Sequence, residues 1–247
     1  MNGCVFCLDL GNSRLKCGVM LNGELQQELF FSESNLVQDV QKALDQYHPK
    51  AAILSSVVDH PEELETLLSA QTFFLKLSHS TPLPIKLVYE KPETLGVDRI
   101  ALACGAWALY PGRHNLIIGT GSAITYNFLN RSGEFLGGGI SPGIDMRFRA
   151  LHTFTDKLPL IKASTQYAFV GFNTRQSILS GVQEGALAEM AGMIASYGTR
   201  YRNFNVFLTG GNLDFFASRL KKKIFASPYL MYKGLNSIVE LNVLDKS

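Results

Sequence analysis

The sequence predicts an α/β fold built from two related halves, and three observations predict it. Strand-like and helix-like segments alternate along the chain, the pattern of sheets flanked by helices. A strand–turn–strand–turn–strand pattern opens the chain and recurs at an offset of 110 residues, with Gly11 falling on Gly121. The 247 residues are 46% hydrophobic and 11% aromatic, enough for a sizeable core in one large domain or two small ones. Charged residues make up 18% of the chain, below the ~25% usual for soluble domains, which excludes disordered, coiled-coil and collagen-like classes.

The first half reads in order as follows. Val5 to Leu10 is an apolar strand, Gly11-Asn12-Ser13 a turn, and Lys16 to Leu21 a second strand. Asn22-Gly23 is a strong hairpin signal before a third strand, Glu24 to Phe31. Leu36, Val37, Val40, Ala43, Leu44 and Tyr47 recur at helical spacing, so Ser34 to Tyr47 is a helix. A buried strand Ala51 to Ser56, a helix Pro61 to Ala70 and a strand Thr72 to Leu77 follow. Residues 78–94 carry Pro82, Pro84 and Pro92 and read as a loop. The domain boundary is placed there, with lobes 1–95 and 96–247 and an uncertainty spanning about 78 to 112.

The second half opens with a helix from Val97 to Tyr110, stopped by Pro111-Gly112. Strand Leu116 to Ile118, the turn Gly119-Thr120-Gly121-Ser122, strand Ala123 to Asn130, the turn Ser132-Gly133 and strand Glu134 to Ile140 repeat the opening. Helices are expected at Ile144 to His152 and from Thr174 to about Tyr197. Strand Asn205 to Leu208 runs into Thr209-Gly210-Gly211-Asn212 and a further helix. The basic run Lys221-Lys222-Lys223 reads as a solvated helix face.

A net charge of +2 gives no ground for a nucleic-acid or membrane-surface partner. No apolar stretch approaches the ~20 residues that span a bilayer. The first residues have no basic region and soon meet Asp9, unlike a signal peptide, so a cytoplasmic protein is expected. Cys4 and Cys7 form a C-x-x-C, but three positions apart on a strand their thiols face opposite ways. Reduced core cysteines are the reading there, and the five histidines show no ligand spacing.

Three small-residue turns each follow an apolar strand: Asp9-Leu10-Gly11-Asn12-Ser13, Gly119-Thr120-Gly121-Ser122 and Thr209-Gly210-Gly211-Asn212. Glycine there permits positive φ and close approach of backbone amides to an anion, phosphate above all. Together they suggest a nucleotide held between two lobes. No G-x-x-x-x-G-K-[ST] and no helix-opening G-x-G-x-x-G occurs, which speaks against Walker-type and dinucleotide sites. Asp9 ends an apolar strand, where a carboxylate needs a partner. A hydrated Mg²⁺ bridging ATP phosphates would be one, and capping its own turn is the alternative. Asp98, in Gly96-Val97-Asp98-Arg99, sits at a helix start and could accept a hydroxyl proton during phosphoryl transfer. Arg99 offers a forked donor for a carboxylate or phosphate. A helix cap with a surface ion pair would explain the same two residues.

The set Asp9-Leu10-Gly11-Asn12-Ser13, Gly96-Val97-Asp98-Arg99, Gly121-Ser122-Ala123-Ile124-Thr125, Gly137-Gly138-Gly139-Ile140-Ser141-Pro142-Gly143, Lys157-Leu158-Pro159 and Leu208-Thr209-Gly210-Gly211 resembles the type III pantothenate kinase family. Order and spacing match over essentially the whole chain. The family belongs to the acetate kinase–hexokinase–actin superfamily. The resemblance therefore implies duplicated ribonuclease H-like (actin-like ATPase) lobes, each a mixed sheet flanked by helices. It also implies transfer of the ATP γ-phosphate to the hydroxyl of pantothenate, the first step of coenzyme A synthesis.

Carried over residue by residue, the resemblance makes Asp98 the proton acceptor. Tyr89, Gly96, Val97, Asp98 and Arg99 become pantothenate contacts. Asp9, Gly11, Asn12, Ser13, Arg14 and Lys16 become the first ATP loop, with Asp9 on Mg²⁺ through the phosphates. Ser122 becomes a further ATP contact, beside Gly121, Gly210 and Gly211, which the glycine turns themselves mark as nucleotide contacts. Thr174 would reach pantothenate across a homodimer interface, although a plain helix N-cap would also explain it. The family binds a monovalent cation, K⁺ or NH₄⁺, through the Asp of Asp-x-Gly-Thr-Ala, and here Gly119 stands in its place. Activity is accordingly expected to respond little to potassium, or to be low throughout. The rival readings are a kinase of another small hydroxyl acceptor and a non-catalytic regulator resembling Bvg accessory factor.

Overall fold

The computed structural model describes residues 3–220 and 223–244. Val5, Phe6, Cys7, Leu8 and Leu10 are all buried, so β1 (Cys4–Leu10) is a central strand that is apolar on both faces. It pairs antiparallel with β2 (Leu15–Leu21), which pairs antiparallel with β3 (Glu24–Phe31) around the Asn22-Gly23 turn, both of whose residues have positive φ. On its other side β1 runs parallel to β4 (Ala51–Ser56), and β4 to β5 (Phe73–Lys76), giving the order β3-β2-β1-β4-β5.

Strand alternation assigns the two faces of this sheet. Phe6, Leu8, Leu10, Cys17 and Val19 share a core with α1 (Leu36–Tyr47) and α2 (Glu62–Gln71). Cys7 and Asp9 therefore point to the opposite face. Tyr232 reaches that face against Gly18, where a Cβ would lie 2.6 Å from the tyrosine ring. Tyr232 belongs to α7 (Leu230–Leu244), which crosses α3 (Val97–Leu109). The crossing is close because a Cβ on Gly105 would run into the Leu230 carbonyl, and one on Gly234 into the Ala101 carbonyl.

The second sheet has six strands; inside the two-residue edge strand β6 (Lys86–Leu87), which pairs with β9, it holds β7 (His114–Thr120), β8 (Ala123–Leu129), β9 (Glu134–Pro142), β10 (Phe204–Thr209) and β11 (Phe225–Ala226), in the order β9-β8-β7-β10-β11. That is the order of the first sheet, and β7 begins and ends 110 residues after β1. The sequence repeat is therefore a repeat of topology. Leu116, Ile118, Ile124, Tyr126 and Phe128 pack with α5 (Thr174–Arg200), α6 (Leu213–Ala217) and Phe148 of α4 (Ile144–Thr153).

By packing, the chain forms two compact units. The first takes the described residues up to Gly112, with Leu129–Gly137 and Tyr229 onward; the second takes Arg113–Phe128 and Gly138–Pro228. The α3–α7 crossing is what draws the C-terminal helix into the first unit.

Three features depart from the sequence reading. Helix α7 was not anticipated, although Leu230, Leu235, Ile238 and Val239 carry a helical spacing. The short strand β6 (Lys86–Leu87) falls in the segment read as loop, and β11 in one left without an assignment; each is held by pairing, with the start of β9 and with β10 respectively. Of the basic run, Lys221 and Lys222 lie outside the described residues. Lys223 is not helical, because the chain there leads directly into β11, where Phe225 stacks on Phe207 at 5.4 Å.

Candidate active site

In the first unit the antiparallel register places Lys16 directly opposite Asp9, with Nζ 3.4 Å from Oδ2. Asp9 is 8% exposed. Burial raises its proton affinity, the Lys16 ammonium lowers it, and the Asp98 carboxylate raises it again. The Lys16 ammonium also lies over the Tyr232 ring at 5.1 Å, and Tyr232 Oη donates to Glu28 at 2.6 Å. The turn beyond β1 closes with Gly11 N–H donating to the Arg14 carbonyl at 3.1 Å, leaving Asn12, Ser13 and Arg14 exposed at its tip.

Asp98 is the second residue of α3 and half-buried. Burial raises its proton affinity above the ordinary carboxylate value, against hydrogen bonding by the Arg99 amide and the charge of Arg99. The Gly96 carbonyl accepts from the N–H groups of Arg99 and Ile100, opening the helix, and Val97 follows Gly96 as its first residue. Arg99 is buried, with its guanidinium 5.8 Å above the ring of Phe135. Phe135 also meets Tyr89 at 6.3 Å. Gly137, at φ +96, brings backbone beside the same tyrosine, where a Cβ would lie 3.2 Å from the ring. The structure thus gathers Asp9, Lys16, Tyr89, Gly96, Asp98 and Arg99 within one unit. Strand alternation turns Asp9 toward the face of the first sheet that Tyr232 of α7 reaches, and the charge of Asp98 acts on it there. Phe135, the shared floor of Tyr89 and Arg99, was read only as an ordinary strand residue; its neighbouring glycine run was the available signal.

In the second unit, β7 and β10 run parallel and deliver the other two turns to the same sheet end. Thr120 Oγ1 donates to the Thr209 carbonyl at 2.8 Å, and Asn212 N–H to the Thr120 carbonyl at 3.2 Å. Gly210 has φ +104, and a Cβ there would lie 2.8 Å from the Thr120 backbone. Gly211 has open space beside it. Gly121 N–H donates to the Ala123 carbonyl at 3.1 Å. Of the glycines expected to use positive φ, only Gly210 does so; Gly11, Gly121 and Gly211 do not. Gly119 is buried in β7 opposite Thr209 and offers backbone groups alone. Among the described residues, no cluster of three or more His, Cys, Asp or Glu side chains could hold a metal ion. The four cysteines are free thiols, with Cys7, Cys17 and Cys104 buried.

Thr174 does not cap α5. Asn173 does, its side chain accepting from Gln176 N–H at 2.9 Å, because Thr174 is already the first helical residue. Thr174 is instead exposed in an apolar groove of about 1080 Å³ between α4 and α5, lined by Leu151, Phe154, Phe172 and Ile178 among others.

A family model described as type III pantothenate kinase matches residues 5–196. A curated type III pantothenate kinase from Cytophaga hutchinsonii is 42% identical over 238 residues, covering 96% of this chain and 98% of that relative. One from Phocaeicola vulgatus is 38% identical over 236 residues, covering 95% and 97%. Among solved structures, a Campylobacter jejuni protein of the Baf family, described as a transcriptional activator, aligns with a TM-score of 0.61 at 21% identity over 98% and 99% of the two chains. A glucokinase from an Antarctic psychrotroph aligns at 0.55 and 10% identity over 98% and 100%. At such identities these two structures speak for the fold alone, a mixed α/β fold shared with sugar kinases.

Proposed function

The chain belongs to the type III pantothenate kinase family, and from that premise we propose how its residues carry out ATP-dependent phosphorylation of pantothenate to 4'-phosphopantothenate, the first step of coenzyme A biosynthesis. The observation that carries the reading is the buried Asp9, paired with Lys16 and acted on by the charge of the half-buried Asp98 at the start of α3. Asp98 takes the proton of the pantothenate hydroxyl as its oxygen bonds to the γ-phosphorus, while the bond to the ADP oxygen breaks. A raised proton affinity makes Asp98 a better acceptor than an ordinary carboxylate. Arg99 holds the pantothenate carboxylate, and Tyr89, Gly96 and Val97 shape the pocket around it.

In the first unit Gly11, Asn12, Ser13, Arg14 and Lys16 bind ATP phosphates. In the second, Gly121, Ser122, Gly210 and Gly211 bind the nucleotide. A buried anionic Asp9 with one lysine partner fits a divalent cation carried by the phosphates. Mg²⁺ held there would neutralise charge on the transferring phosphoryl group. Positioning by the chain's own residues supplies most of the rate. Gly119 has no side chain to hold a monovalent cation, so little dependence on potassium is proposed.

The groove carrying Thr174 is bordered by Phe154 (84% exposed) and Phe172 (77% exposed), with Phe169 and Val170 also exposed nearby. Apolar surface of that kind is proposed to be covered by a second copy of the chain, which would place Thr174 at the partner's pantothenate. The lobes 1–95 and 96–247 are retained as a proposal about the repeat, supported by the matching strand orders. No helix among the described residues is long and apolar enough to cross a membrane. A cytoplasmic location, where ATP is supplied, is proposed.

The test is a panel of small hydroxyl acceptors assayed with ATP. Pantothenate should be phosphorylated with the highest kcat/KM. A better acceptor elsewhere in the panel would overturn the substrate assignment. ATP binding with no turnover on any acceptor would favour a regulatory relative, the reading to which the Baf-family likeness in fold belongs.

A further inference from the structure

In the second unit one ionic cluster braces the corner on which the Gly121–Ser122 turn rests. Arg147, in α4, donates from Nε to the Pro142 carbonyl at 2.8 Å and from Nη2 to Ser141 Oγ at 2.9 Å, and Nη2 also pairs with Glu189 Oε2 from α5. Ser141 Oγ donates to the same Oε2 at 2.9 Å, and Tyr126 Oη, in β8, donates to Oε1 at 2.9 Å. Burial alone would raise the proton affinity of Glu189, but its three donors together hold it below the ordinary carboxylate value. Four elements, β8, β9, α4 and α5, therefore meet on one carboxylate and one guanidinium.

The end of β9 that they grip is the support of the turn. Gly143 N–H donates to the Ser122 carbonyl at 3.1 Å, and the Gly143 carbonyl accepts from Arg147 N–H at 3.0 Å. A Cβ on Gly143 would collide with the carbonyls of both Ser122 and Gly121, so backbone lies flush against backbone there. A shift of Ser141–Gly143 is carried to Ser122 without a soft side chain between them. Half-buried polar networks of this kind hold their geometry best while every member is satisfied.

We propose that Glu189 and Arg147 are positioning residues for the nucleotide, holding the Gly121–Ser122 turn in its binding geometry through Ser141, Pro142 and Gly143. The inference rests on the reading of Ser122 as a nucleotide contact. Arg147 also lines the groove that contains Thr174, whereas Glu189 and Ser141 do not, so the decisive variants are placed at the latter two.

The experiment uses the full chain as Glu189→Gln, which keeps shape and removes charge, and Ser141→Ala, which removes one link. Affinity for a non-hydrolysable ATP analogue is measured by calorimetry, alongside the KM values for ATP and pantothenate and the thermal midpoint. Each variant should weaken analogue binding and raise the KM for ATP by about threefold or more, with the pantothenate KM within about twofold of the parent. Unchanged analogue affinity in both variants overturns the proposal, as does a parallel rise in both KM values. If Glu189→Gln fails to fold, Ser141→Ala decides alone. Should the parent bind the analogue yet phosphorylate nothing, the kinase reading fails while the affinity measurement still judges the brace.

Discussion

A Cβ placed on Gly96 would stand 2.5 Å from Oδ1 of Asp98. Gly96 has φ −55, a value any residue adopts, so the glycine provides room rather than backbone freedom. The carboxylate occupies the space a side chain would fill. Gly96→Ala should therefore fold normally yet push the carboxylate aside, and kcat should fall by about 10²-fold, the scale set by small misplacements of a catalytic group. Steady-state kinetics with a melting curve checks this. A normal kcat would mean that the carboxylate position is unimportant.

Burial raises the proton affinity of Asp98, with consequences for both activity and stability. A base must be ionised, so the acid limb of kcat/KM for pantothenate should lie above the ~3.9 of an unperturbed aspartate. A limb at or below that value would contradict the assignment. For stability, the folded state holds this proton more tightly than the unfolded chain. The contribution is full below the unfolded pKa and is lost as pH rises through the raised folded value. At pH 7 the ionised group costs stability, and Asp98→Asn should melt no lower than the parent.

Helix α3 carries Asp98 and is seated on α7 through two glycines. Gly234→Ala, driving a methyl group into the Ala101 carbonyl, should destabilise by about 1–3 kcal/mol or more, as overpacking does. Denaturant unfolding measures this. A variant as stable as the parent would show that the helices separate at little cost.

The buried Gly119 offers no side chain to a cation. Replacing sodium by potassium should change kcat/KM by less than about twofold, a difference worth under 0.5 kcal/mol. A strong stimulation by potassium would show that other groups hold the ion.

Much of the fold was legible because local rules decide it. Asn22-Gly23 announced its hairpin, and the apolar runs at Val5–Leu10 and Leu116–Ile118 became central strands. What was not legible depends on long-range packing. Leu230 to Val239 has helical spacing, but only its crossing with α3 reveals that a C-terminal helix supplies Tyr232 beside Lys16. Asp9 and Asp98 could each be singled out by position in a strand or helix. The effect of the Asp98 charge on Asp9 follows from how α3 packs in the first unit, and no local pattern states that. Likewise the cap of α5 was assigned one residue late, because Asn173 and Thr174 are both good caps and only the backbone chooses between them.

The central claim is that this chain phosphorylates pantothenate with Asp98 as the proton acceptor. The most direct measurement is phosphopantothenate formation by the parent and by Asp98→Asn at saturating ATP, with ADP affinity determined for both. The parent should turn over, and the variant should lose about 10²-fold or more in kcat while binding ADP equally well. Near-normal turnover by Asp98→Asn, or no turnover by the parent, would contradict the claim.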